Sequence, residues 1–203
     1  SLRQALADSI VPHYITHRLQ LTFDRDLRDN PLDPMRGSAQ SLSGEVAGGP
    51  ISGTSSFTKG VLVSAWYTPR ANGWTIATRI RTGVMSPFGE LPPKVFTPDP
   101  TLDAQVQRVP LTDRFRTGGV NSIRGYDEDA IGPSVLERVE EQFLFVVNQE
   151  LHVPVWRDVL TGVLFVDAGN VWQDWGSFGD DFLTAVGLGL RAATPAGLLH
   201  LDI

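Results

Sequence analysis

The feature that most constrains this chain is a period-two alternation of apolar and polar residues that recurs along its length. Leu19, Leu21 and Phe23 alternate with Arg18, Gln20, Thr22 and Asp24. Trp74, Ile76 and Ile80 stand against Thr75, Ala77, Arg79 and Arg81. Phe143, Phe145, Val147 and Leu151 are interleaved with residues that include Asn148, Glu150 and His152. Near the end, Phe182, Val186, Leu188 and Leu190 face away from Ala185, Gly187, Gly189 and Arg191. Successive side chains of a strand point to opposite faces, so each run has one apolar face and one that is polar or small. Helices, which need a period of 3.6, are excluded from these runs.

The breaks between runs are of two alternating kinds. Short connections carry turn chemistry: Asp29-Asn30-Pro31 through Pro34, Pro69 to Gly73, Pro154 to Asp158, and Thr194 to Gly197. Between them lie longer ones: Gly48 to Ser56, Met85 to about Glu137, and Asn170 to Asp181. This predicts about eight strands, at roughly 13–26, 36–47, 56–68, 73–84, 138–153, 158–169, 181–193 and 197 onward. Short turns at one end and long loops at the other make the antiparallel meander of an outer-membrane barrel.

Alternation alone leaves open which face is wet. A soluble sandwich buries the apolar face between two sheets, whereas a lipid-embedded barrel turns it outward. Three features favour the barrel. The predicted strands run about 10–14 residues, against a usual 5–6. Charges sit at mid-strand on the polar face. The tryptophans (Trp66, Trp74, Trp156, Trp172, Trp175) fall near strand ends, where an aromatic girdle would place them. No run of 18 apolar residues exists, which excludes a membrane-spanning helix but not a barrel. The net charge of −6 argues against nucleic acid as a partner. The absence of cysteine excludes disulfides and thiolate metal sites.

Chemistry-bearing motifs are few. Gly187-x-Gly189-x-x-Ala192 matches a dinucleotide fingerprint in letters, but no helix pattern follows it. Asp24, Asp26, Asp29, Asn30 and Asp33 crowd one turn, yet a calcium loop fails there because Asp29 and Met35 occupy its sixth and twelfth places. An Asx-capped turn is the expected reading. His13, His17, His152 and His200 lack zinc-binding spacing, and Ser122 is not in a hydrolase elbow. No enzymatic activity, cofactor or metal is expected. The long connection at about 85–137 is the anomaly, since structureless loops beyond about 12–15 residues are usually functional or disordered. Its first part is rich in proline (Pro87, Pro92, Pro93, Pro98, Pro100, Pro110). Its second part, Phe115 to Tyr126, sets glycines and one arginine among bulky residues.

That second part resembles the signature loop of the BamA/TamA superfamily of outer-membrane assembly factors, the bacterial surface antigens. The family's loop reads Gly-Gly, a spacer, then Ser-(Val/Ile/Leu)-Arg-Gly-(Tyr/Phe). Here it is Gly118-Gly119, then Ser122-Ile123-Arg124-Gly125-Tyr126, with Ile131-Gly132-Pro133 following. Phe165-Val166-Asp167-Ala168-Gly169 is similar to the family's Phe-x-Asp-x-Gly strand. Gly187-Leu188-Gly189-Leu190-Arg191 followed by Thr194 to Asp202 resembles the last hairpin but one. Asp26 to Gly37 resembles an early family turn. Four motifs stand in register over essentially the whole chain.

The resemblance implies a transmembrane barrel of roughly sixteen strands, of which residues 1–203 supply about the C-terminal half. The POTRA repeats, early strands and final strand of the family fall outside this chain, which would leave an open sheet. It further implies that residues 85–137 form a plug loop whose arginine, Arg124, enters the lumen and pairs with acids on the wall: Asp167, with Phe165 beside it, and Glu150 as a further candidate. Gly125 would let the backbone approach the wall, and Tyr126 would bury its ring with its hydroxyl bonded. The contact would either lock the loop for substrate folding or simply stabilise the barrel. The implied function is insertion of β-barrel precursors into the outer membrane of a Gram-negative-type bacterium. Its implied partners are unfolded outer-membrane proteins, outer-membrane lipids, and periplasmic or lipoprotein accessory subunits. Two relatives of the family offer alternatives: a transporter that secretes a partner polypeptide, and a barrel that anchors or exports a fused patatin-like lipase.

Overall fold

The computed structural model describes residues 15–53, 55–89, 109–133, 141–156, 159–194 and 197–203. Among the described residues eight strands form one sheet: β1 (Arg18–Asp26), β2 (Gly37–Ala47), β3 (Phe57–Pro69), β4 (Thr75–Pro87), β5 (Gln142–Trp156), β6 (Leu160–Trp172), β7 (Leu183–Thr194) and β8 (Gly197–Asp202). Neighbours in sequence are neighbours in space, and every pair is antiparallel. The predicted start of the first strand at 13–14 and of the fifth at 138–140 lies outside the described residues. So do Pro92, Pro93, Pro98, Pro100, Pro195 and Ala196.

Three strands outrun the sequence reading by three residues: β5 runs to Trp156, into the turn expected from Pro154, because Pro154 and Trp156 pair with Thr161 and Leu160. β4 continues to Pro87 because Met85, Ser86 and Pro87 keep pairing with Lys59, Thr58 and Phe57. β6 continues to Trp172 because Val171 and Trp172 pair with Leu144 and Phe143. Proline lacks a ladder donor, so its place at the last residue of β4 costs the sheet little. The aspartate-rich turn after β1 is Asx-capped: one Asp29 carboxylate oxygen accepts the N–H groups of Asn30, Met35 and Arg36 at 2.9–3.2 Å.

The two faces of the sheet have opposite fates. The outward residues are apolar and bare: Leu21 is 74 % exposed, Phe23 67 %, Val186 75 % and Leu188 61 %. A sandwich would bury these side chains. The core lies instead on the inner face, where Ala47, Phe57, Met85, Leu144, Val146 and Val171 pack with Val109, Phe115, Ile123 and Ile131 of the loop. Burying each larger apolar side chain is worth about 1.5–3 kcal/mol. The sheet is therefore lined by its loop and turned outward to lipid. One tryptophan departs from the girdle reading. Trp66, Trp74, Trp156 and Trp175 are exposed, but Trp172 is buried. Its ring lies 4.9 Å from that of Phe178 and 5.1 Å from that of Phe182, and its N–H donates to the Asp180 carbonyl at 2.7 Å.

Gly83 on β4 shows how the loop seats on the wall. A Cβ there would lie 2.6 Å from Cζ of Phe115 and 3.2 Å from the Gly60 carbonyl. The missing side chain is thus the socket for the Phe115 ring. We expect Gly83→Ala to lose about 1–3 kcal/mol through overpacking, measurable as a lowered denaturant midpoint at unchanged slope.

Candidate functional site

The loop is a closed unit before it meets the wall. Thr117 and Ile131 exchange two backbone hydrogen bonds of 2.9 Å, which pins the neck of the segment between them. Inside, Gly119 N–H donates to the Tyr126 carbonyl at 3.1 Å, and Gly118 N–H donates to the Ser122 hydroxyl at 2.8 Å. Gly118 has φ +108°, and a Cβ on it would lie 2.5 Å from the Asp127 carbonyl oxygen, so glycine is required on two counts. Ile123 points into the apolar core. The next residue, Arg124, then points to the polar part of the wall.

Arg124 is 8 % exposed and uses its guanidinium on three strands. Its Nε donates to Asp167 at 2.8 Å and its Nη2 to the other oxygen of the same carboxylate at 2.9 Å. Its backbone N–H adds a third bond to Asp167 at 3.1 Å. Nη1 lies 2.9 Å from Glu150 on β5 and 3.0 Å from Asp202 on β8. The flat face of the guanidinium stacks 3.5 Å from the Phe165 ring centroid. Two parallel bonds to one carboxylate plus stacking on an aromatic face is a set that arginine can make and lysine cannot. Burial alone would lower the pKa of Arg124. The hydrogen bonds to Asp167 and Asp202, with the charges of Glu150 and Asp167, reverse this and raise it above the ordinary value. The loop arginine is therefore charged at any accessible pH.

Around this pair lies a second ring of polar groups. Asn148 donates from Nδ2 to Asp167 at 2.8 Å and to the Ser122 carbonyl, so it touches both wall and loop. Glu150 also takes Arg191 on β7 and sits 2.8 Å from Nε2 of the buried His152. Arg79 on β4 donates to the Asn121 carbonyl at 2.7 Å. On the far side of the loop, Gln142 of β5 accepts the Phe115 N–H at 2.8 Å, and Nζ of Lys59 stands 4.7 Å over the Phe115 ring.

The structure thus brings together Ser122, Arg124, Glu150, Phe165 and Asp167. Gly118, Gly119 and Ile123 shape the loop itself, whereas Gly125 is exposed with nothing within 4 Å of an added Cβ, so its φ of +84° turns the chain rather than bringing the backbone against the wall. Tyr126 packs against the apolar core, and its backbone carbonyl takes the Gly119 bond. Gly169 lies on the same face as Asp167, two residues along β6, where a Cβ would strike the backbone of Phe145 and Val146. It fits the strand to its neighbour rather than touching Arg124. Sequence reasoning missed Asn148, Arg191, Gln142 and Asp202 as partners. Asn148 and Asp202 carried a readable signal, since both fall on the polar phase of their strands.

The Omp85 superfamily domain matches residues 7–203. The outer membrane protein assembly factor BamA of Nitratidesulfovibrio vulgaris is 29 % identical over 185 residues, 88 % of this chain and 21 % of that protein. BamA of Neisseria meningitidis is 24 % identical over 187 residues, 87 % of this chain and 21 % of that protein. A SAM50-like protein of Schizosaccharomyces pombe is 30 % identical over 116 residues, 57 % of this chain and 22 % of that protein. The chain spans about a fifth of the length of these curated relatives. The crystal structure of BamA from Haemophilus ducreyi lacking POTRA domains 1–3 has the same fold, with a TM-score of 0.69 at 19 % identity, over 91 % of this chain and 38 % of that one. The chain belongs to the Omp85 superfamily, and its eight-stranded sheet is part of an outer-membrane β-barrel.

Proposed function

We propose that this chain is the plug-bearing part of a non-enzymatic factor that folds and inserts β-barrel precursors into the outer membrane. Its substrates are unfolded outer-membrane proteins, its surroundings are outer-membrane lipids, and its helpers are periplasmic or lipoprotein subunits. The single observation that carries this reading is the fork of Arg124 on the buried Asp167 carboxylate, which fixes a loop in the lumen of a barrel whose relatives include assembly factors. No nucleotide site is invoked. The driving force is the folding of the substrate, whose strands pair readily with an exposed sheet edge. The role of Arg124, Asp167, Glu150 and Phe165 is to hold the loop in the one arrangement that supports this pairing.

The test is Arg124→Lys in the intact protein, reconstituted in lipid vesicles and assayed for incorporation of a precursor barrel. Lysine keeps the charge but loses the fork and the stacking. A lost charge-assisted hydrogen bond is worth about 1.5–3 kcal/mol, so incorporation should fall by roughly tenfold or more while the barrel stays folded. Incorporation at the wild-type rate by a folded Arg124→Lys protein contradicts the reading. Export of a soluble polypeptide in place of precursor insertion would replace it with the transporter.

A further inference from the structure

The third signature of the sequence, Gly187-x-Gly189 followed by Asp202, has no part in the fork of Arg124 on Asp167. Its geometry gives it one. Asp202 is on β8, two strands away from Asp167 on β6, yet its carboxylate reaches Nη1 of Arg124 at 3.0 Å. The strand between them, β7, would ordinarily stand in the way. It does not, because its inner face is bare where the reach occurs. Gly189 is the cross-strand partner of Asp202, and a Cβ at Gly189 would collide with the Asp202 carboxylate. Gly187 is the cross-strand partner of Phe165, and a Cβ there would collide with the Phe165 ring. The two glycines clear a floor. On it Phe165 lies flat beneath the guanidinium, and Asp202 leans across to the same guanidinium from the other side.

This contact joins the plug loop directly to β8, beside the indirect link to β7 that runs through Glu150 and Arg191. The plug loop is fixed to β5 and β6 through Asn148, Glu150 and Asp167. The hairpin of β7 and β8 is held by six residue pairs and by the Leu188–Ile203 backbone exchange of 2.9 and 2.8 Å. We infer that Asp202 is a positioning residue that couples the plug loop to the β7–β8 hairpin through Arg124, with Gly187 and Gly189 as the clearing that permits the reach. Release of the loop then loosens β8, and loosening of β8 weakens the hold on the loop. Such coupling is reciprocal by necessity. The inference rests on the loop arrangement used in the functional reading but not on the assembly role given to it.

The experiment is hydrogen exchange on the intact protein in lipid nanodiscs, following the peptides that contain residues 117–131 and 197–203. Asp202→Asn removes the charge while keeping the shape of the side chain. Coupling predicts faster exchange in both peptides, by about fivefold or more. Arg124→Ala should speed the 197–203 peptide in the wild-type background and add nothing in the Asp202→Asn background. Gly189→Ala fills the clearing and displaces the Asp202 carboxylate while removing neither charge, and it should reproduce the effect of Asp202→Asn on the loop peptide. A local role of Asp202 in β8 would leave the 117–131 peptide at its wild-type rate, and that result overturns the proposal. So does an Arg124→Ala effect on 197–203 that is equal in both backgrounds. No substrate is present in these measurements, so their outcome is separate from that of the incorporation assay.

Discussion

Arg124→Ala is expected to release the tip of the plug loop and to cost about 3–5 kcal/mol, the usual effect of leaving a buried charge without its partner. The group left behind is Asp167, which is fully buried and would keep only the Asn148 amide and the backbone N–H of residue 124, with no cation against its charge. Glu150 is less affected, because Arg191 and His152 still face it. Domains are stable by about 5–15 kcal/mol, so a loss of this size is large. The neck at Thr117 and Ile131 and the apolar anchors Phe115 and Ile123 remain, so the loop loosens from its tip rather than leaving the lumen. Limited proteolysis within residues 119–129 reports this directly. The sign of a second change sharpens the expectation. Asp167→Ala added to Arg124→Ala removes the orphaned carboxylate, and the double variant should be more stable than Arg124→Ala alone. A double variant less stable than the single one would mean that Asp167 is not the group that Arg124 neutralises.

Phe115→Ala is expected to cost a similar 3–5 kcal/mol, for a different reason. The ring is 2 % exposed, lies in the socket of Gly83 and carries Lys59 over its face. Truncation leaves a cavity that the wall cannot collapse into, because the sheet ladder fixes Gly83 and Gly60 on either side. Lys59 keeps its bond to the Asp113 carbonyl at 2.7 Å but loses its stacking. The dependence on Gly83 gives an internal check by unfolding in denaturant. Gly83→Ala is harmful beside Phe115 and should become neutral or stabilising in the Phe115→Ala background, where the added methyl fills space instead of striking the ring. Equal losses from Gly83→Ala in both backgrounds would show that the socket is not what seats Phe115.

Much of this arrangement was legible in the sequence, and the missing parts share a cause. Alternation placed Arg18, Arg79, Asn148, Glu150 and Arg191 on one face and Leu21, Val186 and Leu188 on the other, because the strand period is fixed by backbone geometry. The loop glycines were readable for the same kind of reason, since Gly118 needs a backbone that other residues rarely adopt. What was not legible depends on register between strands. Asp202 meets Arg124 only because it stands opposite Gly189 and the glycine leaves the way open, and no spacing along one strand states that. Gln142 and Lys59 hold Phe115 from strands far apart in the chain. Trp172 was drawn to the girdle by its place at a strand end, but Phe178 and Phe182 of the following connection fold over it. A charge swap of Arg124 with Asp167 would set the new carboxylate at position 124 against Glu150 and Asp202, so the swap cannot restore the site.

The central claim is that Arg124 holds the plug loop in one place within the barrel. The chain contains no cysteine, so spin labels can be introduced without removing native thiols from it. One label goes at Val120, which is 75 % exposed at the loop tip, and the other at Leu164 on the lipid-facing side of β6. Pulsed electron resonance then measures the distance distribution between them in the bilayer. The account predicts one narrow distribution in the protein with Arg124 and a broad one after Arg124→Ala. A broad distribution with Arg124 present, or a distribution that Arg124→Ala leaves narrow and unshifted, would contradict it.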